Sequence, residues 1–244
     1  MTGEGLTQAV RRQLRLGRVL PLGGAADGAW MTESAADGAL RQMADGITGV
    51  RLGRVRFAPA DPGTTYVAAV PAPPSALPPG PLRITAEFAA AVGEPLPAAA
   101  DRLRAALSGA AADRLGLVVR EVDLRVTALL DEGADPEDVR PQGEPSEQSA
   151  GAAGREAASD GDEGRAERAA LSVPGVSRLT GVLGRAVHIE QRTATDTLPR
   201  RHARVELATD RGHRALDVAL AVRAAVGDAL PDHPSVAVLV TEVG

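Results

Sequence analysis

Four histidines are the side chains best suited to hold a metal ion or move a proton at neutral pH: His188, His202, His213 and His233, all in the last third of the chain. His188 and His202 are expected to face each other on paired strands, with His213 beyond the second strand. No His-x-x-x-His pair and no neighbouring carboxylate set gives metal-ligand spacing, so exposed histidines and no metal site are the simpler expectation. Two glutamates recur in like settings, Glu87 in Ala86-Glu87-Phe88-Ala89 and Glu206 in Val205-Glu206-Leu207-Ala208. On an alternating strand they mark a solvent face rather than an acid–base pair. No serine sits in a nucleophile elbow and no Ser–His–Asp order can be defended. All 27 basic residues are Arg, which excludes a Walker A phosphate loop and a Schiff base, and the absence of Cys excludes a thiolate nucleophile, a zinc finger and an iron–sulfur cluster. The expectation is no catalytic, cofactor-binding or metal-ligating residue, no cofactor and no enzymatic activity.

Glycine and proline clusters give weaker leads. Gly23-Gly24 and Gly28 lack the order and spacing of a dinucleotide fingerprint, and read as a hinge. Gly46-x-x-Gly49 and Gly181-x-x-Gly184 match a KH-type clamp, but strands are expected after both, where that clamp needs helices. The blocks flanking the middle of the chain are also nearly neutral, so nucleic acid is not expected as a partner. The uncharged, proline-rich stretch Pro71–Pro81 is a polyproline ligand in one reading and a stiff, tolerated surface loop in the preferred one.

These residues must be positioned by elements, and the elements repeat. Gly93 and Gly212 each follow the glutamate strand at the same distance, and eleven residues beyond each stands an Arg-Ala-Ala-aliphatic block, Arg104–Leu107 and Arg223–Val226. Val122–Thr127 answers Val236–Thr241, and Ile47–Val50 answers Val173–Val176. Four ordered blocks with this spacing point to a tandem duplication. Leu124, Val126 and Ala128 alternate with polar residues as in a half-buried strand, and Pro97–Leu115 reads as a helix with Leu103, Leu107 and Ala110 on one face. An earlier helix, capped by Thr32 or Ser34, buries Ala36, Leu40, Met43 and Ile47, and Gly49 hands it over to a strand at Arg51–Phe57. The fold class expected is α+β: two small two-layer α/β sandwiches, each helix-strand-strand-helix-strand, with a short leading strand around Ala29–Met31.

Composition divides the chain. Residues 131–164 hold eleven acids against Arg140 and Arg155, with Val139 as the one large apolar residue. Such a segment cannot bury enough surface to offset its ordering entropy and is expected to be a disordered, extended spacer. The expected organisation is therefore residues 1–28 as a basic amphipathic segment and hinge, 29–130 as a first domain with a proline-rich insertion at 58–81, 131–164 as linker and 165–244 as a second domain. No apolar run reaches the roughly 18 residues of a membrane span, and no secretory signal is read at the start, so a cytoplasmic location is expected. Residues 6–18, as a helix, place all four early arginines opposite Leu6, Val10 and Leu14. This suggests peripheral contact with an anionic membrane face or an acidic partner.

Both copies resemble the alkaline shock protein family of bacteria in the Pro-Gly-Val type turn (Val173–Val176, with Thr48 replacing the proline in the first copy), the strand-Gly-helix passages at Gly93 and Gly212, and the final Val-x-Val-x-Val strand. The whole chain is also similar to proteins of high-GC bacteria carrying a nucleopolyhedrovirus-protein family label. The resemblance implies a non-enzymatic scaffold linked to envelope stress that works through a protein partner, often near the inner face of the membrane. The alternative is a small-ligand or nucleic-acid-binding regulator.

Overall fold

The computed structural model describes residues 18–64, 66–130, 161–192 and 200–244. The expected N-terminal helix, apart from Arg18, and nearly all of the acidic segment lie outside the described residues. A hairpin of β1 (Val19–Leu22) and β2 (Ala29–Thr32) leads into a first block of α1 (Glu33–Ala44), β3 (Val50–Pro59), β4 (Leu82–Ala91), α2 (Leu96–Gly109) and β5 (Val119–Leu130). The second block comprises α3 (Asp162–Leu171), β6 (Val176–Leu179), β7 (Val187–Arg192), β8 (Arg200–Thr209), α4 (Ala215–Ala229) and β9 (Ser235–Val243). The fold is α+β, as the sequence patterns require. Asp162–Gly164, expected to belong to the spacer, form the first turn of α3.

Local chemistry accounts for the helix ends. Thr32 Oγ1 accepts from the Ala35 N–H at 3.2 Å, so Thr32 rather than Ser34 caps α1. Ala36, Leu40 and Ala44 then bury one stripe of that helix. Pro97 sits in the first turn of α2, where its missing N–H costs nothing. A wider π-type turn, Ala110–Leu115, follows this helix and stops at Gly116, whose φ of 88° places it in the left-handed region.

The two blocks pair their strands alike, but only the first has the expected helix-strand-strand-helix-strand order; in the second, two shorter strands, β6 and β7, stand where the first has β3. In the first, β3 pairs antiparallel with β4, and β4 pairs parallel with β5. In the second, β6 and β7 both pair antiparallel with β8, and β8 pairs parallel with β9. Gly93 and Gly212 occupy matching turns between strand and helix, and Arg104 and Arg223 both stand nine residues into their helices. Gly49 and Gly175 both have positive φ, and their carbonyls accept from Ala91 and Asp210, each at 2.9 Å. The parallel register slips at Phe88/Ala89 in one block and at Leu207/Ala208 in the other. At each slip a threonine hydroxyl, Thr127 or Thr241, donates to the partner strand's carbonyl, that of Phe88 at 3.3 Å or Leu207 at 3.2 Å.

The blocks are not separately cored. The strand expected at Ala29–Met31 as part of the first domain forms, but in the other block's sheet: β2 pairs parallel with β9, Ala29 opposite Val238 and Met31 opposite Val240. The larger sheet therefore runs β1-β2-β9-β8, with β6 and β7 both beyond β8, while β3-β4-β5 form a second sheet. Gly23–Gly28, read as a hinge, form instead the tight connection of the β1–β2 hairpin, with Gly23 and Gly28 at φ of 75° and 59°. One apolar cluster runs through both blocks, from Leu40, Phe57 and Phe88 to Leu207, Val222 and Val240. At its middle Leu216 of α4 presses on Gly116 so closely that a Cβ there would stand 2.4 Å from the leucine Cβ.

The connection between β3 and β4 is also placed differently from a free loop tip. Val19 of β1 bonds to it twice: the Val19 N–H donates to the Ser75 carbonyl at 3.2 Å, and the Val19 carbonyl accepts from the Leu77 N–H at 2.8 Å. Val70 joins Val19, Trp30, Ala237 and Leu239 in a second apolar cluster on the sheet face away from the helices. The apolar, uncharged character of this proline-rich stretch is thus the signature of a cover.

Candidate ligand-binding site

Strands β7 and β8 alternate cleanly. Val187, Ile189, Ala203, Val205 and Leu207 point to the main core, which sends His188, Glu190, Arg192, His202, Arg204 and Glu206 to the opposite face. There Pro71–Pro74 of the covering connection stand over them and enclose a cavity of about 260 Å³. Its polar wall consists of His188, Glu190, Arg192, His202 and Arg204.

The register sets which groups meet. Glu190 lies opposite His202 and His188 opposite Arg204, so the two histidines are diagonal neighbours on one face rather than directly opposed. His202 is 5% exposed, against the expectation of solvent-facing histidines, and its Nδ1 is 2.8 Å from Ser235 Oγ. Burial, together with the Arg192 charge, holds its pKa below the ordinary 6.5, while Glu190 opposes the shift. The ring is therefore neutral at pH 7. His188 Nε2 is 3.8 Å from Glu190 Oε2, and Arg192 reaches the other carboxylate oxygen at 3.3 Å.

Glu206 overturns the expected solvent face. It is fully buried beneath the segment between β6 and β7, where its Oε2 accepts from the Leu183 N–H at 2.9 Å. Burial raises its pKa above the ordinary 4.5, opposed by that N–H and by Arg204. Its Oε1 stands 3.3 Å from Arg204 Nε, in charge contact, but neither atom makes a hydrogen bond. Glu87, at the matching register of the first block, does face the open side of its sheet as expected.

The remaining histidines are elsewhere. His213, in the turn after β8, contacts Asp210 Oδ1 at 2.8 Å and holds that carboxylate's pKa down. His233 lies in the α4–β9 turn, with Nδ1 at 3.0 Å from the Gly227 carbonyl. Among the described residues no group of three or more His, Asp or Glu is placed to hold a metal ion. A broader depression of about 830 Å³ beside the α1–β3 turn is lined by Arg102 and Glu94, which pair with each other.

Two guanidiniums, each already facing a carboxylate, and two imidazoles make a polar, nearly charge-balanced wall that suits a small polar ligand. Ser235 and His202 are in hydrogen-bond reach, yet among the described residues no carboxylate bonds the ring's other nitrogen to complete an acyl-transfer triad. Sequence reasoning paired His188 with His202 but missed Arg192, Arg204 and the prolines. The alternation His188-Ile189-Glu190-Gln191-Arg192 against His202-Ala203-Arg204 carried part of that signal. Among the described residues no helix is long and apolar enough to cross a membrane. Searches against protein-family models, curated proteins and solved structures found no match to this chain.

Proposed function

We propose that this chain is a non-enzymatic scaffold made from two diverged copies of one α+β unit, of the alkaline shock type and linked to envelope stress. In this reading it acts in the cytoplasm, at the inner face of the membrane, through a protein partner. One observation carries the reading: the second block is sealed by the chain's own hairpin and proline-rich connection, whereas the first keeps an open sheet face. That face presents Arg51, Arg54 and Arg56 along β3, all exposed and without an ion pair among the described residues. Beside them, on β4 and β5, Arg83 is balanced by Glu121 and Asp123. A cationic strip at the rim of a mixed-charge sheet fits an acidic protein surface. The strip stops at β3, because the matching face of the second sheet is covered, and this argues against a nucleic-acid track across both sheets.

The test is affinity capture of the full chain from its own cells beside an Arg51→Glu/Arg56→Glu variant. A specific protein should be enriched by the wild type and reduced at least tenfold by the variant, with melting unchanged. Equal capture by both chains would overturn the reading. The second reading, a small-ligand regulator, rests on the cavity between Pro71–Pro74 and β7–β8. Thermal shifts with inorganic phosphate or small carboxylates, present in the wild type and lost in Arg204→Gln, would favour it.

A further inference from the structure

The two parallel edges of the blocks are treated differently. The outer edge of β9 is occupied by β2 of the same chain, while among the described residues the matching edge of β5 has no strand beside it. β5 is twelve residues long, and among the described residues no strand pairs with the N–H and C=O groups along its outer side. The Val122 carbonyl accepts from Arg104 Nε at 3.3 Å, a side-chain contact that a pairing strand would displace. A long uncovered edge is a template for pairing. Its side chains are more exposed than a half-buried strand requires, with Val126 at 37% and Leu129 at 56%.

The sequence of this edge is complementary to itself. Laid antiparallel about Leu124, it sets Asp123 against Arg125 twice, Val122 against Val126 twice and Leu124 against its own copy. The charged pairs lie on the open face that Arg83, Thr85 and Glu87 share, and the apolar pairs lie on the helix-covered face with Ile84, Ala86 and Phe88. Centring on Asp123 or Arg125 instead opposes two like charges, and centring on Val122 sets Glu121 against Asp123. Opposite charges and paired aliphatics directly across a strand pair both favour that register. The slip at Thr127 ends the regular stretch, so the argument rests on residues 122–126.

We propose that β5 pairs with β5 of a second copy of this chain, antiparallel about Leu124, joining two three-stranded sheets into one six-stranded sheet with both helix layers on the same side. This rests on the reading of the first block as the interaction block, and names a second copy as one of its partners.

Analytical ultracentrifugation of the full chain should show a dimer. Asp123→Arg, which opposes arginines across both pairs, should weaken it at least tenfold, and adding Arg125→Asp should restore it. The chain has no cysteine, so Leu124→Cys provides a single thiol whose partner across the axis is itself. Its Cβ atoms would stand roughly 5 Å apart, and oxidation should give a covalent dimer. Val119→Cys places the two thiols about 33 Å apart along the strands and should stay uncrosslinked. A wild-type monomer at all concentrations, a dimer indifferent to Asp123→Arg, a double swap that fails to restore it, or a foreign protein on this edge would overturn the pairing. Failure here with capture through Arg51 and Arg56 intact refutes the dimer alone; a persisting dimer with unspecific capture refutes the scaffold reading alone.

Discussion

Glu87 and Glu206 stand at the same register of the same kind of strand, each six residues before a glycine turn. One faces solvent and the other is fully buried beside an arginine. The same holds for the strand edges: β5 lies open among the described residues, while β9 is closed by β2. The blocks share strand pairing and turn chemistry, and what separates them is which distant segments are laid on them. A strand's own alternation sets which residues share a face; whether that face meets water depends on chain far away in sequence.

The largest expected effect sets the sealed edge against the open one. Met31 is fully buried between β9 and the shared core, so Met31→Asp should cost about 4 kcal/mol or more, through an unpaired buried charge. Val126→Asp, on the exposed edge, should cost less than about 1 kcal/mol in the monomer. Chemical denaturation of both variants checks the pair, and equal costs would erase the distinction.

A middle-sized effect separates the two glutamates. Glu206→Ala strands the Leu183 N–H and leaves Arg204 without its counter-charge, so about 1–2 kcal/mol should be lost. Glu87→Ala should stay within about 0.5 kcal/mol, as surface changes do. Denaturation midpoints at a single pH would separate these values.

The smallest effect is a pH dependence. Because the folded pKa of His202 lies below 6.5, the unfolded chain takes the proton first, so stability from this group is full above pH 6.5 and falls below it. The stability gap between wild type and His202→Gln should therefore narrow as pH drops through 6.5. Glu206 acts in the opposite sense: the folded state holds its proton to higher pH, and its contribution fades as pH rises from 4.5 through its raised pKa. That contribution is common to both chains and cancels in the gap. A gap constant with pH would show that the ring is not held neutral by burial.

Much of each block was legible because its signals are local. The Thr32 cap, the Leu103–Leu107 stripe, the turns at Gly49 and Gly175 and the matching of Gly93 with Gly212 all rest on spacings of a few residues. What was not legible is long-range. Nothing in Ala29–Thr32 says that its partner is β9 rather than β3, since a four-residue apolar strand fits any edge. Nothing near Glu206 says that residues 180–186 and Pro71–Pro74 will close over that face. Residues 66–81 did carry a hint: a connection without charge, holding Val70 and Leu77, has apolar surface to hide.

The hairpin and shared core bind the two blocks into one cooperative unit, and the chain's only tryptophan reports on it. Trp30 lies on β2 at 2% exposure, between β9 and the proline-rich cover. Unfolding of the full chain in urea should therefore give one transition, with the same midpoint and slope by Trp30 fluorescence and by far-ultraviolet circular dichroism. Two phases in the dichroism, one of which leaves the Trp30 emission unchanged, would show instead that the blocks unfold as independent domains.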